Sequence, residues 1–289
     1  MDITKSLNLL DSSNSPNIIQ HFSVLLSIYN KENKLYLIKA FESILQQKIK
    51  PNEIVLVKDG LLTTDLDSTI AEYQNKFSNL KVILLPKNQG LGKALNEGLK
   101  YCSYELVARM DTDDIARPDR FEKQIHFMET HPEIDVCSAW IDEFIGSPDN
   151  IVSRRILPET PEELYEFGKS RNPLNHPAVM FRKSAVIKAG GYQHFPLFED
   201  YYLWVRMIMN GSKLYNLQEP LLYFRSSTEM YKRRGGLKYA LTEIKFQILL
   251  HKIGYISFYQ MLKNCCTRFI ARIIPNQLRG FLYKRILHK

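Results

Sequence analysis

Asp111, Asp113 and Asp114 put three carboxylates into four positions. Like charges that close repel unless something positive lies among them. A divalent cation is the natural occupant, because Mg2+ and Mn2+ take hard oxygen ligands, typically one or two carboxylates completed by water and substrate phosphates. The same acids have a plainer reading, since Asp113 or Asp114 could help cap a helix opening at Pro118. An EF-hand loop is excluded, its Gly and later Glu being missing. A second pair, Glu199-Asp200, opens the apolar run Tyr201–Met209. Acids there suit a helix N-terminus, yet a carboxylate held apart from a metal site is also what a general base requires. Its bulky neighbours Phe198, Tyr201, Tyr202 and Trp204 could raise its pKa or stack on a substrate ring.

These acids need elements to position them. His21–Tyr29 is a short apolar run of buried-strand type, and Leu35, Ile38, Phe41, Ile44 and Leu45 then recur at helical spacing within Lys34–Gln47. The alternation repeats through a strand at Glu53–Val57, a helix at Asp65–Phe77, a strand at Leu80–Leu85, a helix at Leu91–Tyr101 and a strand at Glu105–Met110. Such alternation predicts right-handed βαβ crossovers and a mostly parallel sheet. Ligands of such sheets bind beyond the strands' carboxyl ends. There lie Ser27, Tyr29 and Asn30, then Asp59-Gly60, then Asn88, Gly90 and Gly92, and finally the three acids. A helix from Pro118 to Thr130 and a strand at Ile134–Ile141 follow, and beyond Gly146 several prolines loosen the pattern. A helix at Pro161–Ser170, a strand at Ala178–Phe181 and a helix at Phe198–Asn210 still stand out. From Leu237 the character changes. Leu237, Leu241, Ile244 and Ile248 make one helical stripe, and Ile256, Tyr259, Cys266, Phe269 and Ile273 a second, with Lys263, Arg268 and Arg272 away from it.

Charge divides the chain of 289 residues the same way. Thirteen of its 39 Lys/Arg and one of its 31 Asp/Glu fall after residue 231, so a +12 tail follows a body of −4. A mildly acidic body speaks against a uniformly basic nucleic-acid binder. The 45% apolar content excludes a disordered chain. Cys102, Cys137, Cys265 and Cys266 form no disulfide-dense or CxxC pattern, which fits a reduced cytoplasmic compartment. No apolar run is long enough to span a membrane. No signal-peptide core occurs in the polar leader.

The stretches FSVLLSIYN, EIVLVKDG, NQGLGKALNEGL, VARMDTDDIARPDRFEKQ, NHPAVMFRKSAVIKAGGY and FEDYYLWVRM, in this order across residues 21–226, resemble glycosyltransferase family 2, in particular bacterial enzymes building exopolysaccharide, capsule or O-antigen repeat units. The resemblance implies a GT-A-type, Rossmann-like α/β fold with a mostly parallel sheet flanked by helices, here followed by basic amphipathic C-terminal helices. It implies a polar leader at 1–20, a catalytic domain at 21–231 (nucleotide-sugar half 21–115, acceptor half 116–231) and an extension at 232–289. By similarity Ser27 and Tyr29 lie along the nucleotide base, Asp59 meets a uracil edge, and Asn88–Asn96 with Lys93 lines the ribose and diphosphate. Asp111 and Asp113 form the literal DxD, yet Asp113-Asp114 could equally supply the ribose contact and the ligand for Mn2+ or Mg2+. Asp200 matches the catalytic base with Glu199 in support, and His176 and Trp204 fall on the acceptor or diphosphate side.

The implied reaction is inverting transfer of one sugar from a nucleotide-sugar, a UDP-hexose or UDP-N-acetylhexosamine, to a polyprenyl-diphosphate-linked saccharide. Lys232, Arg233, Arg234, Lys263, Arg268 and Arg272 would then face the anionic inner surface of the cytoplasmic membrane as a peripheral anchor, with no nucleic-acid partner; the same helices could instead present a solvated face or form a cover packed on the catalytic domain. Lys58 departs from the family by standing where many relatives carry the first Asp of a DDG motif. No QxxRW follows the Glu-Asp pair, which argues against processive synthesis. A metal-dependent nucleotidyltransferase or a non-catalytic membrane-associated scaffold would share several of these residues.

Overall fold

The computed structural model describes residues 21–227 and 236–273. Its first strand, β1 (Phe22–Ile28), is buried along almost its whole length, as a parallel strand covered on both faces must be. It pairs in parallel with β2 (Glu53–Lys58) and β4 (Leu106–Arg109), and β2 pairs in parallel with β3 (Leu80–Leu84). The connecting helices are α1 (Lys34–Leu45), α2 (Thr64–Lys76) and α3 (Leu91–Tyr101). Their starts are coded locally: the side chain of Asn33 caps α1 and that of Thr63 caps α2. Alternate residues feed two layers. Val24, Leu26, Ile54 and Leu56 face one core with α1, α2 and α4 (Arg120–Thr130), whereas Leu25, Val55 and Val57 face the other with α3.

The second half adds antiparallel strands to the parallel β3-β2-β1-β4 unit. Its elements are β5 (Ile115–Ala116), β6 (Val136–Phe144), β7 (Ile151–Arg155), α5 (Pro161–Gly168), β8 (Met180–Arg182), α6 (Lys183–Lys188), α7 (Glu199–Met209) and β9 (Leu214–Arg225). The strand order is β3-β2-β1-β4-β8-β6-β9-β5, with β7 on β6. The pairs β4/β8, β6/β8, β5/β9 and β6/β7 are antiparallel and β6/β9 is parallel. The sheet is therefore mixed. β6 and β7 are joined by a short hairpin with no room for a helical crossover. Strand β9 was not legible because Pro220 interrupts it; its register against β6 shifts around Trp140. It nonetheless positions the acids, since its pairing with β5 pins the loop between β4 and β5.

The C-terminal helices α8 (Leu237–Lys252) and α9 (Phe258–Ile273) pack on this body. Phe246 of α8 stacks on Phe198 at 4.8 Å and lies 4.9 Å from the Tyr201 ring, within a cluster that includes Val205, Leu250, Tyr255 and Ile256. The expected stripes are turned the wrong way. Leu237, Leu241 and Ile248 are exposed, and α8 instead buries Ala240, Glu243, Phe246, Gln247 and Leu250. Gly254 (φ +81°) separates the helices, so Ile256 precedes α9. On α9 Tyr259 and Cys266 are exposed while Asn264 is buried. The reason is that aromatic α7 residues select one face of α8, and polar partners beneath select the face of α9. The leader at 1–20 and Lys232, Arg233 and Arg234 lie outside the described residues.

Candidate active site

The carboxyl ends of β1, β2 and β4 and the start of α3 converge as a doubly wound sheet requires. Ser27 is half-buried at the end of β1 and Tyr29 is exposed just beyond it. Asp59 follows β2 and is buried; its two carboxylate oxygens accept the backbone N–H groups of Gln89 at 2.7 Å and Gly90 at 2.9 Å. Asn88 closes the connection by donating to the Asp59 carbonyl at 3.3 Å. Gly60 is required beside it, because its φ is +90° and a Cβ would fall 2.7 Å from the Asn88 nitrogen. Asp59 thus shapes the loop entering α3, where Lys93 is exposed. Lys58 points elsewhere, pairing with Asp67 of α2 at 2.5 Å.

The acid cluster sits over buried arginines. Arg109, the last residue of β4, is 1% exposed and grips Asp111 with both terminal nitrogens, one contact being 2.8 Å. Beneath it, fully buried Arg120 donates to the Arg109 carbonyl at 2.7 Å; burial and the neighbouring Arg109 charge lower its pKa to about 9. Asp114, also fully buried, accepts the Arg225 backbone N–H at 2.9 Å through Oδ1. Arg225 ends β9, donates to the Asp113 carbonyl at 2.9 Å, and stacks between Tyr36 at 3.8 Å and Phe144 at 4.6 Å. Nearby, Glu32 accepts the Thr112 hydroxyl at 2.6 Å.

The positive charge does not satisfy all three acids. Burial, then Asp111 and Glu32, push Asp113 up to about 7. Burial, then Asp113 and Asp111, hold Asp114 well above the ordinary carboxylate range. Asp114 Oδ2 is buried without a protein partner, and ligand oxygens of Asp111, Asp113 and Asp114 lie within 4.8 Å of one another. A buried orphan acceptor in an over-negative cluster of hard oxygens fits a divalent cation. Since Arg109 occupies both oxygens of Asp111, Asp113 and Asp114 are the acids with acceptor capacity to spare.

Glu199 and Asp200 form the first turn of α7 behind a strained entry, Leu197 being a non-glycine residue at φ +73°. Asp200 Oδ2 accepts a hydrogen bond from Asn172 Nδ2 at 2.7 Å. Burial raises the Asp200 pKa, while the Tyr201 N–H, the Asn172 amide and the Arg109 charge oppose it. Burial chiefly, aided by the Asp200 charge, raises Glu199. This turn adjoins the start of α3, since a Cβ at Gly92 would lie 3.3 Å from Glu199 Cγ. The loop entering α3 and the acidic pair are neighbours.

His176 is buried and its Nε2 lies 2.9 Å from the Tyr192 hydroxyl; burial and Arg109 depress its pKa well below the usual value, so it is neutral. Trp204 corrects an expectation. It is 0% exposed, edge-on to His176 at 5.9 Å, and packed with Leu203 and Met207, so it has no face for a sugar. Arg268 corrects another, turning inward to Glu243 and the Ser170 carbonyl rather than outward to a membrane. Lys263 is exposed, and the side chain of Arg272 lies outside the described residues. Arg109, Arg225, Tyr192 and Asn172 escaped the sequence reading. An arginine ending an otherwise apolar strand next to three acids was the available signal for the first; Asn172 offered none.

Glycosyl transferase family 2 is the family whose model matches, over residues 23–190. The chain belongs to this family. As a glycosyltransferase it is 39% identical over 270 residues to the Escherichia coli UDP-Gal:alpha-D-GlcNAc-diphosphoundecaprenol beta-1,3-galactosyltransferase, covering 93% of this chain and 97% of that one. It is 39% identical over 264 residues to the amylovoran biosynthesis glycosyltransferase AmsE of Erwinia amylovora, covering 91% and 98%. Among solved structures it resembles S. aureus TarS 1-349 in complex with UDP-GlcNAc, with a TM-score of 0.65, 19% identity and coverage of 88% of this chain and 72% of that one. That likeness concerns the GT-A-type fold. Membership of the family sets the nucleotidyltransferase and scaffold alternatives aside.

Proposed function

We propose that the enzyme transfers one hexose or N-acetylhexosamine from a UDP-sugar to a saccharide carried on polyprenyl diphosphate, inverting the anomeric centre, in the assembly of an O-antigen, capsule or exopolysaccharide repeat unit. The observation that carries the chemistry is the presence of two kinds of carboxylate: an over-negative cluster at 111–114, and Asp200 on α7, held by the Asn172 amide and the Tyr201 N–H. Near-full-length likeness to the E. coli galactosyltransferase supports the substrate class and favours UDP-galactose as the first donor to test.

Asp200 accepts the proton of an acceptor hydroxyl while that oxygen attacks the anomeric carbon from the face opposite UDP. The bond from that carbon to the β-phosphate oxygen breaks, and UDP leaves with the electron pair. Burial makes Asp200 a stronger base than a solvated carboxylate, while the Tyr201 N–H, Asn172 and Arg109 favour its ionised form. Tyr29 and Ser27 line the base, Asp59 holds the 88–90 loop, and Lys93 approaches the diphosphate. Bound by Asp113 and Asp114, Mn2+ or Mg2+ would supply positive charge to the departing diphosphate. Neutral His176, with Tyr192, sits beside Arg109 as a hydrogen-bonding wall of the acceptor side.

Residues 21–231 serve as the catalytic domain and 232–289 as an extension that meets the inner face of the cytoplasmic membrane. Support for the membrane contact is the exposed stripe Leu237, Leu241 and Ile248 of α8 and the exposed Phe258, Tyr259 and Leu262 of α9, beside exposed Lys238, Lys245, Lys252 and Lys263. Among the described residues no helix is long and apolar enough to cross a membrane. Incubating the protein with UDP-galactose and a polyprenyl-diphosphate-GlcNAc acceptor, with Mn2+ or with chelator, tests the reading. A metal-dependent β-linked product is expected. Absence of transfer from every UDP-sugar of a panel would refute it.

A further inference from the structure

The segment that follows α5 closes its own turn on the Glu166 and Phe167 carbonyls, which accept the N–H groups of Lys169, Ser170 and Arg171, and leaves the carbonyls of Tyr165 and of residues 168–170 to donors from elsewhere. The last carbonyls of a helix have no intrahelical donors, and here the donors come from two directions. Tyr201, beside Asp200 on α7, donates its hydroxyl to the Gly168 carbonyl at 2.6 Å. The C-terminal helix pair and the connection between its helices supply the others. Tyr255 donates to the Tyr165 carbonyl at 3.0 Å, Asn264 Nδ2 to the Lys169 carbonyl at 2.8 Å, and the Arg268 guanidinium to the Ser170 carbonyl. Two residues further on, Asn172 donates to Asp200 and uses its own Oδ1 to accept the Leu174 N–H at 3.3 Å. We infer that the C-terminal helix pair is part of the catalytic apparatus: Tyr255, Asn264 and Arg268 are positioning residues that fix the 165–172 segment, and through Asn172 they set the orientation of Asp200.

The chemistry of the contact favours positioning over simple cover. A cover needs only apolar burial, and Phe246 and Leu250 provide it. The contact to 165–170 adds, beside the edge-on meeting of the Tyr165 and Tyr255 rings, polar bonds aimed at individual backbone carbonyls and tied back into the helix pair. Arg268 is paired with Glu243, which is 1% exposed, and Asn264 also donates to Gln247 Oε1 at 2.7 Å. Buried polar networks of this kind fix one geometry, because any other leaves their members unpaired. Gly168 belongs to the design. A Cβ there would collide with the Tyr255 hydroxyl, so only glycine lets the tyrosine reach across to Tyr165. Asp200 is thereby held from both flanks, by Asn172 on the segment and by Tyr201, whose ring packs on Phe246 of α8. A positively charged donor at the C-terminal end of α5 also matches the helix dipole.

This inference rests on Asp200 being the base, and the experiment separates the two. Three variants, Asn264→Leu, Tyr255→Phe and Asp200→Asn, are assayed in the full-length protein with a soluble short-chain acceptor, alongside thermal unfolding and UDP titration calorimetry. Asn264→Leu keeps the branching of the side chain, adds some volume, and leaves the Lys169 carbonyl without its donor. Its kcat should fall about 10–100-fold, as small displacements of a reacting group do, while donor KM and UDP affinity stay within about twofold. Tyr255→Phe removes one oxygen and provides the answer if Asn264→Leu does not fold; its kcat should fall in the same direction with donor KM unchanged. Wild-type kcat in folded Asn264→Leu or Tyr255→Phe, with Asp200→Asn inactive, would overturn the positioning role and leave the base intact. Wild-type transfer by Asp200→Asn would instead remove the base assignment itself.

Discussion

Replacing Asn172 with Ala removes a single 2.7 Å hydrogen bond to a buried carboxylate. Burial already raises the Asp200 pKa, and three groups resist it: the Tyr201 N–H, Asn172 and the Arg109 charge. A hydrogen bond to a charged group is worth about 1.5–3 kcal/mol. Since about 1.4 kcal/mol is a factor of ten in an ionisation constant, losing it disfavours the ionised base by roughly tenfold or more. The sign follows from which form works. The carboxylate must be ionised to take a proton, so activity is present above its pKa and lost as pH falls through it. Raising that pKa moves the acid limb of the kcat profile upward by about one pH unit or more. Asn172→Ala should therefore lose most at low pH and regain only part of the loss at alkaline pH, where the charge effect vanishes and the lost orientation of Asp200 remains. Transfer rates at saturating UDP-sugar and acceptor between pH 5 and 9 read this out. An acid limb that stays in place, with the rate lowered equally at every pH, would refute the electrostatic role given to Asn172.

Three other substitutions probe separate parts of the account. Arg109→Met should destabilise the fold by about 3–5 kcal/mol, because it strands Asp111 among other acids, whereas Arg109→Met with Asp111→Asn should regain part of that loss in denaturant unfolding. Asp59→Asn presents an amide NH2 to the Gln89 or Gly90 N–H, so the loop entering α3 should loosen and UDP binding should weaken in calorimetry with kcat little changed. Trp204→Phe should lower stability by about 1–3 kcal/mol yet leave the acceptor KM unchanged, because the indole is packed in the core; a raised acceptor KM would return it to the sugar site.

The first half of the fold was legible because its information is local. Strands β1 to β4 are short apolar runs separated by helices with periodic faces, and each loop at their carboxyl ends carries its polar residues in the sequence next to the strand that places them. The second half depends on partners distant in sequence. β9 contains Pro220 and reads as loop until β6 lies beside it, and β5 is two residues long. The apolar stripe of α8 is visible in the sequence, but a stripe does not say which of two faces will meet the protein; Phe198 decides that by stacking on Phe246, and Tyr201 by packing its ring beside it. The same division runs through the site. Asp59, the 111–114 acids and Asp200 declare themselves by type and by place after a strand or before a helix. Arg225 and Asn172 acquire meaning only from contacts that join residues 225 to 114 and 172 to 200. Trp204 misled because an aromatic beside an acidic pair suits a sugar platform and a core helix equally well.

The central claim is that Asp200 takes the acceptor's proton while a separate acidic cluster serves the donor. Asp200→Asn keeps the shape of the side chain and removes its basicity, so it tests the claim most directly. Transfer by this variant should fall by about 10²–10⁴, with the affinity for UDP in the presence of Mn2+ equal to wild type. Near-wild-type transfer by Asp200→Asn would contradict the account, as would a loss of UDP binding that explained the whole loss of rate.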